Sequence, residues 1–323
     1  MNVGRYRYIC ASKLTHPGGC EIGPRPIDMH IKALRKMGVK VHDAHHGFLY
    51  CEADKMKSCD IQLDFPSVGA TENIMLAAVF SEGDTVIRQA AKEPEIIDLQ
   101  NFLIKMGVKV SGAGTSVIRI QGNYKKLNSV EHKVIPDRIV AGTYLVMAGI
   151  TGGDITLKNV ASEYITSVIS YLRECGCCID LKRNSIHIYG PARPRSIDVI
   201  RTLPYPGFPT DMQSQFVSLL SIAKGTSIVV ETIFDNRYKH VEELIRMGAD
   251  IKLEGRLAVI RGVRKLTGAN VYARDLRGGA ALVLAALAAD GKTVISGIKH
   301  IDRGYEDIEV KLSGVGALIK REE

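Results

Sequence analysis

A cysteine and an arginine stand five residues apart in a loop-like stretch near the start of the chain. Cys20 and Arg25 belong to the segment HPGGCEIGPRP, which is too rich in glycine and proline to form a helix or a strand. Loops of this kind are exposed and often functional. A neighbouring positive charge lowers the pKa of a thiol and favours the reactive thiolate. Cys20 is therefore a candidate reactive cysteine, with an inert thiol as the alternative.

Two arginines occupy equivalent positions relative to a later glycine. Arg25 lies 13 residues before Gly38, and Arg303 lies 13 residues before Gly316. Both arginines stand in predicted turns that lead into helices. A guanidinium group binds phosphate or carboxylate through two parallel hydrogen bonds. The two arginines are therefore candidate anion ligands, and surface salt bridges are an equally open alternative.

Three aspartates mark the predicted starts of apolar helices. They lie in the segments PDR, PTD and RDLR, at Asp137, Asp211 and Asp275. Aspartate is a favoured N-cap residue, so capping is the simpler role for each of them. Helix N-termini also attract anions, which predicts a phosphate pocket if several of them converge.

Metal and nucleotide motifs receive little support. The CGCC run at 175–178 has no second cysteine pair at zinc-finger spacing, and HDAHH at 42–46 is a short polar stretch of the kind found in hairpins. Neither a dinucleotide fingerprint nor a phosphate-binding P-loop occurs. We therefore predict no metal site and no phosphotransfer driven by a nucleoside triphosphate.

An internal repeat arranges these residues. Five segments share a helix end, a glycine and a short apolar strand, and their glycines are Gly38, Gly107, Gly176, Gly248 and Gly316, at spacings of 69, 69, 72 and 68 residues. A period of this length exceeds that of common solenoids and favours closed units. Each glycine is predicted to follow a helix with a positive φ angle.

Each repeat is predicted to contain a helix, a strand, a second helix and two further strands. The first helix is very apolar and opens at Ser67, Asp137, Asp211 or Asp275. Helices of this composition are expected to be buried on nearly all sides. The first repeat has no such helix, and we expect it to be clipped at its front.

Composition limits the possible classes of protein. The chain has 323 residues, 46% of them apolar, which predicts two soluble domains and neither a disordered chain nor a membrane span. Seven cysteines and the lack of an export signal predict reduced thiols in the cytoplasm. The net charge of +8 is scattered and aromatic residues are few, so small phosphorylated ligands are favoured over nucleic acid. No oligomeric state is predicted.

Eight motifs resemble one enzyme family. They are PGGCEIGPRPID (17–28), DFPSVGATENIMLAA (64–78), EPEIID (93–98), IPDRIVAGT (135–143), FPTDMQSQF (208–216), ETIFDNRYKHVEEL (231–244), DLRGGAALVLA (275–285) and HIDRGYEDIE (300–309). Together they resemble the UDP-N-acetylglucosamine enolpyruvyl transferase family. The similarity runs from about residue 13 to the end of the chain.

This resemblance implies an α/β (α+β) fold of two domains. Each domain would be an inside-out α/β barrel of pseudo-repeated units of about 70 residues, with the active site in the cleft between the domains. We expect residues 1–134 to form an incomplete first domain carrying the Cys20 loop, and residues 135–323 to form the second, with Asp211 and Arg303. Of the six units that the family would have, we expect five in this sequence.

The implied reaction transfers the enolpyruvyl group of phosphoenolpyruvate to the 3-hydroxyl of UDP-N-acetylglucosamine and releases phosphate. It is the first committed step of peptidoglycan synthesis, and it needs no cofactor and no metal. By resemblance, Cys20 is the proton donor that fosfomycin alkylates, Asp211 is the base, and Arg25 and Arg303 hold phosphoenolpyruvate.

The resemblance also implies further substrate-binding residues. Those lining the uridine nucleotide would be Arg25, Pro26, Ile27, Asp28, Met29, Phe65, Pro66, Ser67, Val68 and Ile233, with Asp275 and Arg277 completing the site. A Lys-Asn pair typical of the family has no counterpart in this chain. A non-catalytic protein that binds a UDP-sugar or a protein partner is therefore the alternative to a shortened transferase.

Overall fold

The structure, a computed structural model, describes residues 10–15, 27–44 and 48–322. These residues form two compact units, one ending at Ile135 and one beginning at Pro136. No helix in those stretches combines the length and the apolar character that a membrane span requires. Helices and strands alternate in both units, so the predicted α/β class is confirmed.

The first unit contains two sheets among its described residues. Its strands are β1 (Cys10–Thr15), β2 (Lys40–Ala44), β3 (Phe48–Ala53), β4 (Asp60–Gln62), β5 (Asp84–Arg88), β6 (Val110–Ser111) and β7 (Val117–Gln121). Its helices are α1 (Asp28–Lys36), α2 (Val68–Ala78) and α3 (Pro94–Lys105). One sheet has the order β1-β3-β2 and the other the order β4-β5-β7-β6.

The second unit repeats the same kinds of element. Its strands are β8 (Asp154–Lys158), β9 (Cys178–Lys182), β10 (Ser185–Tyr189), β11 (Val199–Arg201), β12 (Thr226–Val230), β13 (Asp250–Glu254), β14 (Leu257–Arg261), β15 (Leu266–Thr267), β16 (Asn270–Tyr272), β17 (Ala289–Asp290) and β18 (Val294–Ser296). Its α-helices are α4 (Arg138–Thr151), α5 (Thr166–Glu174), α6 (Gln213–Leu220), α7 (Lys239–Arg246), α8 (Leu276–Leu287), α9 (Lys299–Asp302) and α10 (Ile308–Ser313). Single 3₁₀ turns cover Ser162–Tyr164 and Thr210–Met212.

Two four-stranded sheets, one in each unit, share their strand order. The order β4-β5-β7-β6 matches the order β11-β12-β14-β13, and in both sheets only the first pair is parallel. The buried residues that align across the first three strands are Ile61, Ile87 and Ile118 in one sheet and Ile200, Val229 and Ala258 in the other. The inward-facing apolar residues therefore fix the same register twice.

The five repeat glycines end five helical segments in the same way. Their φ angles are +89°, +96°, +97°, +91° and +95° in chain order. In each case the glycine amide donates to the carbonyl three residues back, and the next amide donates to the carbonyl five residues back. This pair of bonds defines the Schellman motif, which favours glycine because the motif needs a positive φ angle. The predicted helix ends are confirmed.

Three of the apolar helices form the centre of the second unit. All eight residues of α6 are buried, and α4, α6 and α8 pack against one another with strands outside them. Most residues of α4 and α8 are buried as well. The expected burial on nearly all sides is therefore confirmed for these helices.

Helix α2 does not follow that expectation. It packs against α1, α3 and strands β5 and β7 through Ile74 and Met75, but Leu76 remains 47% exposed. No element among the described residues covers this outer face. The expectation of burial on nearly all sides was wrong for α2, because composition shows how apolar a helix is but not how many neighbours surround it.

Candidate active site

The three aspartates that start apolar helices have different roles. The side chain of Asp137 accepts hydrogen bonds from two amides of the first turn of α4, at 2.8 and 2.9 Å. Asp275 does the same for α8, at 3.0 and 2.9 Å. Capping is therefore confirmed for both. Asp211 lies in the 3₁₀ turn before α6 and makes no such bond, so its carboxylate is available for another role.

Asp211 instead lies between two arginines. Its Oδ1 accepts from the guanidinium of Arg237 at 2.5 Å, and its Oδ2 lies 3.6 Å from a terminal nitrogen of Arg277. The Asp211 side chain is 42% exposed, whereas those of Arg237 and Arg277 are 3% and 13% exposed. The site is thus a half-exposed carboxylate whose counter-charges come from the protein interior.

The electrostatics of this cluster keep the carboxylate ionised. Burial by itself would raise the pKa of the Asp211 carboxyl. The charges of Arg277 and Arg237, with a smaller effect of Arg138, outweigh burial and hold this pKa below its ordinary value. At neutral pH the group is therefore a carboxylate that can accept a proton, surrounded by an excess of positive charge suited to anionic ligands.

A buried polar network fixes Arg277 in place. Its guanidinium donates to the hydroxyl of Tyr305 at 3.2 Å and lies 5.7 Å from the centre of that ring. The Tyr305 hydroxyl lies 2.9 Å from the hydroxyl of Thr143, which also accepts from the amide of Gln215 at 3.0 Å. Because the other side chains come from α4, α6 and a C-terminal turn, the network ties Arg277 of α8 to three other parts of the second unit.

Arg303 belongs to the turn that carries Tyr305. It is exposed and directly follows α9, and α10 begins five residues later, so the predicted turn before a helix is confirmed for this arginine. Tyr305 itself is 2% exposed. The turn therefore presents one exposed arginine while its tyrosine anchors it to Arg277.

Ile233 lies in the loop that delivers Arg237 to Asp211. The loop follows β12, and Ile233 is half-buried there. Asp275, although predicted to contact substrate, is 4% exposed and uses Oδ1 for its cap. The second unit thus brings Asp211 and Arg277 together, while Ile233 lies in the loop that carries Arg237 and Arg303 lies in the turn that carries Tyr305.

The first unit brings together the two stretches that the resemblance assigns to the nucleotide. Ile27, Asp28 and Met29 lie at the start of α1, and Phe65, Pro66, Ser67 and Val68 lie at the start of α2. The first turns of α1 and α2 meet, since a Cβ on Gly69 would lie 3.2 Å from Cε1 of His30. Lys32 also reaches Asp64, at 2.9 Å. Phe65 is 39% exposed, so this edge presents an aromatic ring.

Three predicted site residues, Cys20, Arg25 and Pro26, lie outside the described residues. Among the residues that the structure does describe, no group of three or more histidine, cysteine or acidic side chains could hold a metal ion. Within the CGCC run, burial raises the pKa of Cys175 to about 12 and that of Cys177 to about 11. These two thiols are therefore unreactive at neutral pH.

Sequence analysis missed two residues of the cluster, Arg237 and Tyr305. Both fall inside motifs that were recognised, ETIFDNRYKHVEEL and HIDRGYEDIE. Their signal was weak, because an arginine before an amphipathic helix and a tyrosine in a polar turn are usually exposed. Only the fold shows that both side chains are buried beside Asp211 and Arg277.

Comparisons with known proteins show which family the chain belongs to. The family model described as EPSP synthase (3-phosphoshikimate 1-carboxyvinyltransferase) matches residues 4–312. A UDP-N-acetylglucosamine 1-carboxyvinyltransferase 2 of Caldanaerobacter subterraneus subsp. tengcongensis is 58% identical over 308 residues, which are 95% of this chain and 73% of that protein. A UDP-N-acetylglucosamine 1-carboxyvinyltransferase 1 of Carboxydothermus hydrogenoformans is 56% identical over 305 residues, covering 94% and 72% of the two chains.

Solved structures support the fold. The enolpyruvyl transferase NikO from Streptomyces tendae superposes with a TM-score of 0.86 at 22% identity, over 96% of this chain and 74% of that one. An EPSP synthase from Acinetobacter baumannii gives a TM-score of 0.71 at 20% identity, over 97% and 75%. The resemblance read from the motifs is confirmed: the chain belongs to the UDP-N-acetylglucosamine 1-carboxyvinyltransferase family of enolpyruvyl transferases.

Proposed function

We propose that this protein transfers the enolpyruvyl group of phosphoenolpyruvate to the 3-hydroxyl of UDP-N-acetylglucosamine and releases phosphate, the first committed step of peptidoglycan synthesis. The relatives at 58% and 56% identity carry the name of this activity. One observation carries the proposal from the structure: Asp211, the predicted base, is held ionised by two arginines instead of being used as a helix cap.

The proposed reaction needs an acid, a base and anion ligands. A proton adds to C3 of phosphoenolpyruvate while the sugar oxygen adds to C2 and loses its own proton, which gives a tetrahedral phosphorylated intermediate. Loss of a C3 proton and of phosphate then restores the double bond. A positioned acid and base each contribute to such steps, and arginines stabilise the departing phosphate. The proposal invokes no cofactor.

Each role in this reaction is assigned to a residue that the sequence analysis named. Cys20 donates the proton to C3, and Asp211 accepts the proton of the 3-hydroxyl, as its ionised state allows. Arg25 and Arg303 hold the phosphate and carboxylate of phosphoenolpyruvate. The remaining assignments are the uridine-lining residues Arg25, Pro26, Ile27, Asp28, Met29, Phe65, Pro66, Ser67, Val68 and Ile233, and Asp275 and Arg277 beside the reacting groups.

We also propose the domain bounds, the repeated units within each domain and the location of the protein. We assign residues 1–134 and 135–323 to two domains built from pseudo-repeated units of about 70 residues, each domain an inside-out barrel around its apolar helices. The five Schellman glycines and the two sheets of identical strand order support this repeat. Seven cysteines support a cytoplasmic location, where thiols stay reduced.

Transfer of labelled carbon tests the function. The protein is incubated with UDP-N-acetylglucosamine and ¹³C-labelled phosphoenolpyruvate, and the nucleotides are analysed by mass spectrometry. We expect a nucleotide sugar that has gained the labelled enolpyruvyl group, together with free phosphate. Shikimate 3-phosphate serves as the control acceptor and should remain unchanged. Binding of UDP-N-acetylglucosamine by calorimetry without any labelled product would overturn the proposal in favour of a binding protein.

A further inference from the structure

A second carboxylate, that of Glu231, lies beneath the Asp211 cluster and is almost completely buried. Glu231 directly follows β12 and is 1% exposed. Its Oε2 accepts from the hydroxyl of Thr210 at 3.0 Å. Its Oε1 accepts from the hydroxyl of Thr202 at 3.0 Å and from the amides of Ile233 and Phe234 at 2.8 and 3.1 Å. Four donors thus offset the cost of burying this group.

Three of these four bonds lie in two segments that meet at Asp211, and the fourth comes from Thr202, which follows β11. Thr210 precedes Asp211 in the 3₁₀ turn, so Oε2 holds the turn that carries the proposed base. The amides held by Oε1 open the loop whose other end carries Arg237. The ring of Phe234 also lies 5.6 Å from the guanidinium of Arg237.

We propose that Glu231 is a positioning residue: its two oxygens hold the Asp211 turn and the Arg237 loop at a fixed separation, and so place the Asp211 carboxylate against its buried arginine. The catalytic part of this inference rests on the proposed function. The positioning part does not, because the separation of the two segments is a property of the protein without substrates.

Two threonines give a matched test of positioning against plain stability. Thr210→Val and Thr202→Val each remove one hydroxyl donor to Glu231 and keep the shape of the side chain. Thr202 also accepts from the amide of Thr232 at 2.8 Å, so its loss disturbs at least as many hydrogen bonds. Only Thr210 adjoins Asp211. If Glu231 only stabilised the fold, Thr202→Val would have the larger effect on stability, on the Asp211 titration and on kcat.

Positioning predicts a different outcome. In Thr210→Val we expect the pKa of Asp211 to rise toward its ordinary value, because the carboxylate moves away from Arg237. This pKa is measured by ¹³C NMR of the Asp211 carboxyl group. We expect kcat to fall by about 10-fold or more, with a smaller change in the KM for UDP-N-acetylglucosamine. Thr202→Val should lower the urea midpoint at least as far but leave kcat within about 2-fold, and Thr210→Ser should restore the wild-type values.

The two possible failures can be told apart. If the wild-type protein makes no product, the proposed function fails, and the carboxyl titration still tests positioning. If Thr210→Val leaves both the Asp211 titration and kcat at wild-type values, or if Thr202→Val changes them equally, Glu231 is only a structural residue and the inference is overturned.

Discussion

The guanidinium of Arg237 lies 2.5 Å from the carboxylate of Asp211, although the arginine is 3% exposed and the aspartate 42% exposed. A buried cation therefore holds a carboxylate that is itself partly open to solvent. Without Arg237, Asp211 would keep, among the described residues, only Arg277 at close range, so the Arg237 pair should help to set the charge state of Asp211. This relationship connects the fold to the proposed chemistry.

Replacing Arg237 should shift the titration of Asp211. In the folded protein the arginines hold the pKa of Asp211 below its ordinary value, so the stability that the pair provides is present above that ordinary value and is lost as the pH falls through the lowered one. In Arg237→Gln we expect the pKa of Asp211 to rise, and the acidic limb of the kcat profile to move to higher pH. Carboxyl ¹³C NMR and a pH–rate profile measure both effects.

An exposed ion pair between the Arg237 loop and the turn joining β13 to β14 offers the control for that variant. Arg256 pairs with Asp235, and the two side chains are 50% and 53% exposed. Because exposed pairs contribute little, Arg256→Gln should leave the Asp211 titration unchanged. Equal shifts in the two variants would show that Asp211 responds to overall charge and not to its buried partner.

Capping predicts a stability difference at Asp137. Asp137→Ala removes the acceptor for two first-turn amides of α4 and should lower the free energy of unfolding by about 1 kcal/mol. Asp137→Asn keeps the cap and should stay near the wild-type value. Urea unfolding followed by circular dichroism measures both variants, and equal stability of the two would contradict the capping role.

Two glycines of the last repeat allow the cost of a positive φ angle to be measured where a Cβ atom would meet no steric clash. Gly316 has a φ of +95° and open space around its Cβ position, so Gly316→Ala should lower the free energy of unfolding by about 1 kcal/mol. Gly314 has a φ of −63°, and alanine there should be neutral or slightly stabilising. Thermal or urea unfolding tests the pair. A harmless Gly316→Ala change would show that the positive φ angle is not required.

His240 should make the second unit sensitive to mild acid. Its side chain is 3% exposed, and burial, partly opposed by the charge of Asp275, lowers its pKa to about 4. Between pH 6.5 and pH 4 the ring of His240 is protonated in the unfolded chain but stays neutral in the folded protein. This group therefore lowers the free energy of unfolding by about 1.4 kcal/mol for each pH unit of acidification. His240→Gln should show a shallower decline in urea unfolding across that range. Parallel declines would mean that His240 is not buried as a neutral ring.

The sequence predicted the repeating parts of the fold best. The five helix-ending glycines were predictable because a Schellman motif depends on local backbone geometry. The central position of α6 followed from its composition. The exposed Leu76 on α2 did not, because burial depends on neighbours that a local pattern cannot specify.

The candidate site was only partly predictable. Three aspartates occupy similar helix starts, and only tertiary contacts distinguish the caps Asp137 and Asp275 from Asp211. Resemblance to a family selected Asp211, whereas spacing alone treated the three alike. Neither the resemblance nor the spacing indicated Arg237, because its place beside Asp211 depends on a loop whose first amides bind Glu231.

The central claim is that Asp211 serves enolpyruvyl transfer, and phosphate release tests it most directly. Wild type, Asp211→Asn and Asp137→Asn are each mixed with phosphoenolpyruvate and UDP-N-acetylglucosamine, and free phosphate is followed with time. We predict release only when both substrates are present, similar rates for wild type and Asp137→Asn, and a rate lower by about 100-fold or more for Asp211→Asn. Wild-type rates in Asp211→Asn, or no release by the wild-type protein, would contradict the account.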